Sequence, residues 1–296
     1  MFNPNQYFIY GKNGQKPNTF IGGIGAVTNT ASLLAIKLGL SVANIKSFKV
    51  EAVTNNVSCY IDTTYFLPFN CFDHNTDITF FNDLDGLVLL GNAYCFRLAT
   101  NLTSVYFPSL TTLNGANFNG CLNLKTVYIP LLEYMGWSCF FGCHSVLHFN
   151  FPYLTTAHGS SFANCYGVLS YNLPSLSETT TSFTDNRSLP YLSLPGLILS
   201  NVTIMYKRCY KLTELDLPEC TTFIAGQLVL SSLLEKVNLP KVVTLGSGAY
   251  SIGSWWGTAQ GITWTVPIAL QTSNNGGVDE NLQGLIDDYQ AKVIYV

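Results

Sequence analysis

The stretch Asn123–Pro174, NLKTVYIPLLEYMGWSCFFGCHSVLHFNFPYLTTAHGSSFANCYGVLSYNLP, repeats itself without slipping a residue. Pro130, Pro152 and Pro174 fall 22 residues apart, as do Cys121, Cys143 and Cys165. Outward from this stretch lie Pro108, Pro195, Pro218, Pro240 and Pro267, so the intervals run 22, 22, 22, 21, 23, 22 and 27. A fixed period in this range leaves few folds open, because a coil that cannot bury its own apolar face must stack on copies of itself.

The residues before each proline define one coil. One, three and six positions upstream stand Phe107, Val105 and Leu102, then Ile129, Val127 and Leu124, and the series continues to Leu239, Val237 and Leu234. The unit is L-x-x-V-x-I-P. Its alternation predicts a short strand with one buried face, ended by a proline that cannot donate to a ladder. Two and five positions after the proline the chain is apolar again, and at plus ten an aromatic recurs as Phe118, Phe140 and Phe162.

The full pattern, C-x-x-L-x-x-V-x-I-P-x-L-x-x-L…F-x-x-C, resembles the BspA-type, or Treponema-type, leucine-rich repeat over about residues 80–267. The resemblance implies a curved solenoid with a parallel sheet on one face, working by surface binding. The expected fold is a β-rich solenoid, a right-handed leucine-rich-repeat stack of ~22-residue coils with a parallel sheet and short helices mainly in the caps.

Composition narrows the function. The chain carries 14 basic and 17 acidic residues among 296 and a net charge of −3, without the basic footprint of a nucleic-acid binder or the polybasic segment of a membrane-surface one. Nine cysteines invite a disulfide framework, but Cys95, Cys121, Cys143, Cys165 and Cys209 lie in or near the repeat register. Equivalent side chains in stacked coils sit ~4.8 Å apart, and bridged Cβ atoms need roughly 3.5–4.5 Å. A structural ladder of buried, reduced thiols is therefore expected. Cys59, Cys71, Cys139 and Cys220 are left unassigned.

In chain order, residues 1–55 are expected to form an N-terminal arm, cap or attachment module, with a helix over about Thr30–Leu38. Gly22–Gly25 lacks the lysine of a phosphate loop and reads as a turn or linker. The opening MFNPNQYFIYGKNGQKPN has no basic region followed by an apolar run and is not expected to act as a secretory signal. No stretch is long and apolar enough to predict a membrane span. Residues 56–267 are expected to form the solenoid, with regular coils over about 106–240. Phe81 and Asn82 stand where a later coil has its apolar residue and proline. The SETTTSFTDNRS segment, with Arg187 in the plus-thirteen place of cysteine, predicts an outward bulge and a candidate contact loop. Residues 268–296 predict a helix–strand cap, with a helix over Asp279–Gln290 and a strand over Lys292–Val296. Trp255, Trp256 and Trp264 are expected to pack in the core near this end rather than to form a sugar platform.

Nothing in the sequence calls for catalysis, a metal or a cofactor. His144 and His148 have helical spacing, but the repeat puts them on a turn and a strand and no H-E-x-x-H is present. Ser160 and Ser161 lie near His158 without a nucleophile elbow. The chain is read as a non-enzyme, with scattered acids offering no paired carboxylates.

The sheet face is the candidate binding surface. Two positions before each proline stand Tyr106, Tyr128, Asn150, Asn172, Ser193, Asp216 and Asn238, and four before stand Ser104, Thr126, His148, Ser170, Tyr191, Glu214 and Lys236. Tyrosine with Asn and Ser suits adaptable recognition, and it equally suits β-propensity and solubility. The low charge, the Asn/Thr-rich surface and the closing VPIALQTSNNGGVDENLQGLIDDYQAKVIYV also resemble short repeat proteins of tailed-phage virions, especially of phages infecting gut Bacteroidales. That resemblance implies a tail or fibre-type virion protein contacting a host surface protein or glycan. The alternatives are a structural part docking on other virion proteins, or an adhesin on the bacterial cell surface. Mounting as a homo-oligomer through residues 1–55 would leave no mark in the sequence.

Overall fold

A computed structural model describes residues 72–74, 76, 79–83, 89–90, 93–180, 183–200, 206–223, 231–246, 261–272 and 278–296, and the backbone of strands at 7–10, 45–51 and 56–61. The chain forms a parallel β-solenoid with little helix and divides into two compact units, Met1–Val146 and Leu147–Val296. The expected helix over Thr30–Leu38, as well as Cys71, Trp255 and Trp256, lies outside the described residues.

Each regular coil starts with the strand that the alternation predicts. Ser104–Tyr106 and Thr126–Tyr128 pair in parallel in the first unit, and Glu214–Asp216 and Lys236–Asn238 in the second, always with the apolar middle residues opposite each other. The residue before the repeat proline makes the last ladder bond to the next coil, as Phe107 N does to Tyr128 O and Leu217 N to Asn238 O. The proline then opens a turn closed from plus two back to minus one, such as Leu132 N to Ile129 O. Cys220 closes the same turn onto Leu217 O, which places it in the apolar column of Leu110, Leu132 and Leu154. A second, two-residue strand follows, as at Thr112–Leu113 and Tyr134–Met135.

The plus-ten aromatics form a spine within each unit. Phe72, Phe96, Phe118 and Phe140 stack at 5.1, 5.3 and 5.3 Å between centroids, within 14° of parallel. Phe162, Phe183 and Tyr206 continue the motif in the second unit at 5.5 and 6.1 Å. All these rings are buried, and offset aromatic pairs add about 0.5–1.5 kcal/mol each beyond area burial.

After the aromatic the chain turns through a left-handed residue (Leu98, Gly120, Gly142, Asn164, Asp185, Arg208; φ between 55° and 73°) into a buried ladder position. Glycine fits best there. A Cβ on Gly120 would sit 2.4 Å from Leu98 Cδ2 in addition to the strained φ.

From Cys121 onward the ladder position is polar for a reason. Cys121 Sγ donates to Phe96 O, Cys143 Sγ to Phe118 O, Cys209 Sγ to Phe183 O, and Ser231 Oγ to Tyr206 O, each reaching the spine aromatic one coil back. Cys95, Cys121, Cys143, Cys165 and Cys209 are all buried and unbridged, but Cys95 stands in a different column. It precedes its aromatic by one residue, as do Asn117, Cys139 and Ser161. Asn117 Oδ1 accepts from Cys95 N, and Cys139 Sγ and Ser161 Oγ donate to the carbonyls three residues upstream, of Gly136 and His158. Cys139 is thus a turn-locking residue of this second column.

Burial pushes the Cys121 thiol far up and the Cys209 thiol up to about 12, although each thiol's contact with a backbone group pulls the other way. Unfolded thiols ionise near pH ~8.5. Between there and the folded value the unfolded chain binds fewer protons, so stability is full below the unfolded pKa and falls as pH rises, by about 1.4 kcal/mol per pH unit and thiol. Urea midpoints should therefore drop between pH 8 and pH 10, and Cys209→Ser, which copies Ser231, should make the drop shallower. An equal drop in this variant would remove Cys209 from the account.

Three sequence expectations need correction. The described residues of SETTTSFTDNRS, 177–180 and 183–188, do not form an outward polar bulge: Glu178–Thr179 is a second strand, Phe183 belongs to the spine, and Asp185 and Asn186 are buried. Arg187 does not replace the ladder cysteine. Asn186 does, because this coil is one residue short and the position is fixed by the following Leu189, to whose N–H the Asn186 carbonyl is bonded. The first degenerate coil is also in another register, with Phe81 opposite Val105 and Asn82 opposite Tyr106.

The first strands of the first unit and the last strands of the second are built differently from the repeat. Phe80–Asp83 pairs in parallel with Asn56–Ile61, which turns antiparallel onto Ile45–Glu51, itself antiparallel to Tyr7–Tyr10. In the second unit Thr263–Val266 pairs with Lys236–Asn238 and Lys292–Tyr295. The helix Glu280–Tyr289 lies between these last two strands in sequence. Asp279 caps it by accepting from Asn281 N and Leu282 N at 3.0 and 3.1 Å, and its buried Leu282 and Leu285 face the core. Trp264 is fully buried there.

The ladder is interrupted once between described strands of the second unit, after Ser170–Asn172 and before Tyr191–Ser193. Elsewhere the residue five before the proline donates to the preceding coil, as Leu169 N does to Leu147 O and Thr213 N to Pro190 O. At this junction that residue is Pro190, which has no N–H to give.

Candidate functional site: the sheet face

In the first unit, parallel register stacks Tyr106 directly beside Tyr128. Their rings lie 6.0 Å apart at 37°, and Phe80 adds a third ring 5.4 Å from Tyr106. Tyr128 is 50% exposed and Tyr106 and Phe80 are half-buried. Neither phenol makes a hydrogen bond among the described residues. The strip therefore offers ring faces and two polar tips at once, the combination that favours recognition with little ordering cost. Phe80 escaped the sequence reading because its coil has 24 residues to the next equivalent position, Ser104, instead of 22.

In the second unit the expected residues are present on the face but occupied with one another. His148 Nδ1 lies 2.8 Å from Ser170 Oγ, and Asn172 Nδ2 donates to Asn150 Oδ1 at 2.7 Å. Asp216 accepts from Ser193 Oγ at 2.8 Å, Asn238 Nδ2 at 2.7 Å and Tyr191 OH at 3.3 Å. Glu214 and Lys236 approach to 3.7 Å. These are cross-coil polar ladders of the Asn/Asp type, which satisfy neighbours at the fixed spacing between strands. Only the exposed rings and the outer edges of this face, Tyr191 foremost at 45% exposure, remain for a ligand.

Among the described residues no group of three His, Cys, Asp or Glu side chains is placed to hold a metal ion, and no helix is long and apolar enough to cross a membrane. His158 Nδ1 lies 3.4 Å from Thr180 Oγ1, while Ser161 Oγ is committed to the His158 carbonyl.

The repeat itself settles the family. The model of the BspA type leucine rich repeat region matches residues 65–186 and 138–253, with six copies. The chain belongs to the BspA-type leucine-rich repeat family. Repeats of this family are typically non-catalytic, and the module is consistent with protein binding or adhesion. No curated protein matches the BspA-type chain. It is similar to a leucine rich cell surface protein from Faecalibacterium prausnitzii, at 16% identity over 69% of this chain and 71% of that one, with a TM-score of 0.41. A leucine-rich repeat protein from Bacteroides ovatus is 16% identical over 83% of this chain and 74% of that one, with a TM-score of 0.44.

Proposed function

We propose that the chain is a non-catalytic recognition module that holds a host surface protein or glycan on its sheet face, and that it serves as a tail or fibre-type protein of a phage virion. The observation that carries the first part is the Phe80–Tyr106–Tyr128 strip. It is an aromatic row on a parallel sheet, exposed at Tyr128 and half-buried at Tyr106 and Phe80, with phenolic tips that make no hydrogen bond among the described residues. The virion assignment is supported by the sequence resemblance alone: the low charge, the Asn- and Thr-rich outward positions and the closing segment.

The test is binding of labelled chain to intact gut Bacteroidales cells, with and without periodate oxidation of their glycans. Saturable binding that periodate removes identifies a glycan receptor, and binding that survives identifies a protein. Tyr128→Ala should weaken either by about thirtyfold, as central aromatic contacts cost ~2 kcal/mol, with an unchanged melting temperature. Absence of binding to every strain would favour the alternative of a structural part docking on other virion subunits. Binding of the Tyr128→Ala chain at wild-type strength would move the contact away from the strip.

A further inference from the structure

The chain has three arginines, and two of them, Arg187 and Arg208, meet on a single carboxylate. Asp185 and Arg208 occupy the same left-handed position in consecutive coils of the second unit, and Arg187 stands two residues beyond Asp185. Arg187 Nε and Nη2 donate to Asp185 Oδ1 at 3.2 and 3.1 Å, and Arg208 Nη1 donates to Oδ2 at 3.1 Å. The carboxylate is only 6% exposed, while the arginine side chains are 48% and 43% exposed. One buried negative charge thus anchors two half-exposed guanidinium forks, whose other N–H groups make no hydrogen bond among the described residues.

Rings border the forks. Tyr166 lies under Arg187, 4.1 Å from guanidinium carbon to ring centroid. Tyr210, 39% exposed, holds the equivalent place one coil beyond Arg187. Lys207 and Lys211 flank Arg208 in sequence, so between Glu178 and Glu214 the chain carries four cations and one acid. In a chain of net charge −3 this is a local surplus of positive charge. A fold-holding ion pair needs one arginine for one carboxylate, and the second is left with its charge unbalanced.

We infer that this turn-side cluster, separate from the sheet face, binds the oxyanion of an acidic glycan, a uronic-type carboxylate or a sulfate ester. Arg187 and Arg208 supply the bidentate donors and Tyr210 the platform for the sugar ring, while Tyr166 backs the Arg187 guanidinium. The guanidinium fork matches the planar spacing of such an oxyanion, and Asp185 holds both forks in place before the ligand arrives. Nucleic acid is a poorer fit, since the surplus is only three charges and the chain's pI is about 5.7.

Having three arginines makes the test direct. In the full chain labelled with 15N-arginine, titration with tetragalacturonate at low salt should shift the Nε–H signals of Arg187 and Arg208. Arg97, bidentate on Asp73, should stay in place. A sulfated tetrasaccharide run in parallel decides which oxyanion is preferred. Arg187→Gln and Arg208→Gln, taken singly so that Asp185 keeps one partner, should each weaken the preferred sugar about tenfold. The inference is overturned if neither acidic sugar moves the two signals, if a neutral dextran oligomer moves them equally, or if a single-stranded oligonucleotide moves them at lower concentration. Because the signals are read on the unaltered chain, a variant that fails to fold does not change the outcome.

Discussion

Phe118→Ala should cost about 3–5 kcal/mol, the range for removing a fully buried phenylalanine. Phe118 is inaccessible and sandwiched between Phe96 and Phe140, 5.3 Å from each and within 12° of parallel, with Phe107 tilted against it at 6.2 Å. Its backbone also carries the coil, since its carbonyl accepts from Cys143 Sγ and from Cys121 N. The deletion leaves a void that backbone locked on both sides cannot fill. In a solenoid, stability is roughly a sum of neighbour interfaces, so the damage should be local. Hydrogen exchange should show the amides of residues 94–143 losing protection in the variant, while those of 206–223 and 231–246 keep theirs. An equal loss in both regions would mean that the chain unfolds as one cooperative body and that the neighbour-interface account is wrong.

That local logic explains which parts of the fold could be read from the residues. Positions set by a period, such as Val105, Val127 and Leu215 in the strands and Phe118, Phe140 and Phe162 in the spine, repeat because every coil solves the same packing problem. Positions set by a partner outside the coil do not repeat. Pro190 breaks the ladder without disturbing the apolar pattern, so its effect is invisible until the donor that it lacks is located in space. Cys95 resembles Cys121 in type but stands in a different column, and a 26-residue gap hid the difference. On the sheet face the columns could be counted. What the count missed was that Asp216, Asn172 and Asn150 spend their polar groups on each other, whereas Tyr106 and Tyr128 do not.

The short coil gives the second large effect. Asn186→Ala should destabilise the chain by about 2–4 kcal/mol, because it empties a fully buried polar site and leaves a buried donor unpaired. Asn186 Oδ1 accepts from Cys165 N at 3.2 Å, and Nδ2 donates to Tyr171 OH at 2.9 Å, so one amide ties its coil to the one before it through both backbone and side chain. A cysteine or serine at this position, as in Cys209 or Ser231, donates to the coil behind but cannot offer the amide's pair of opposed groups. The two bonds can be separated by a double-mutant cycle with Tyr171→Phe. Urea unfolding should show Asn186→Ala costing about 0.5–1.5 kcal/mol less in the Tyr171→Phe background, with the remainder assigned to the Cys165 amide and the cavity. No coupling would mean that the tyrosine hydroxyl is content with solvent and that Asn186 is retained for the backbone bond alone. The contrast between asparagine and cysteine at one ladder rung would then be a contrast in the backbone group each reaches in the coil behind, the Cys165 N–H for Asn186 and the Phe183 carbonyl for Cys209.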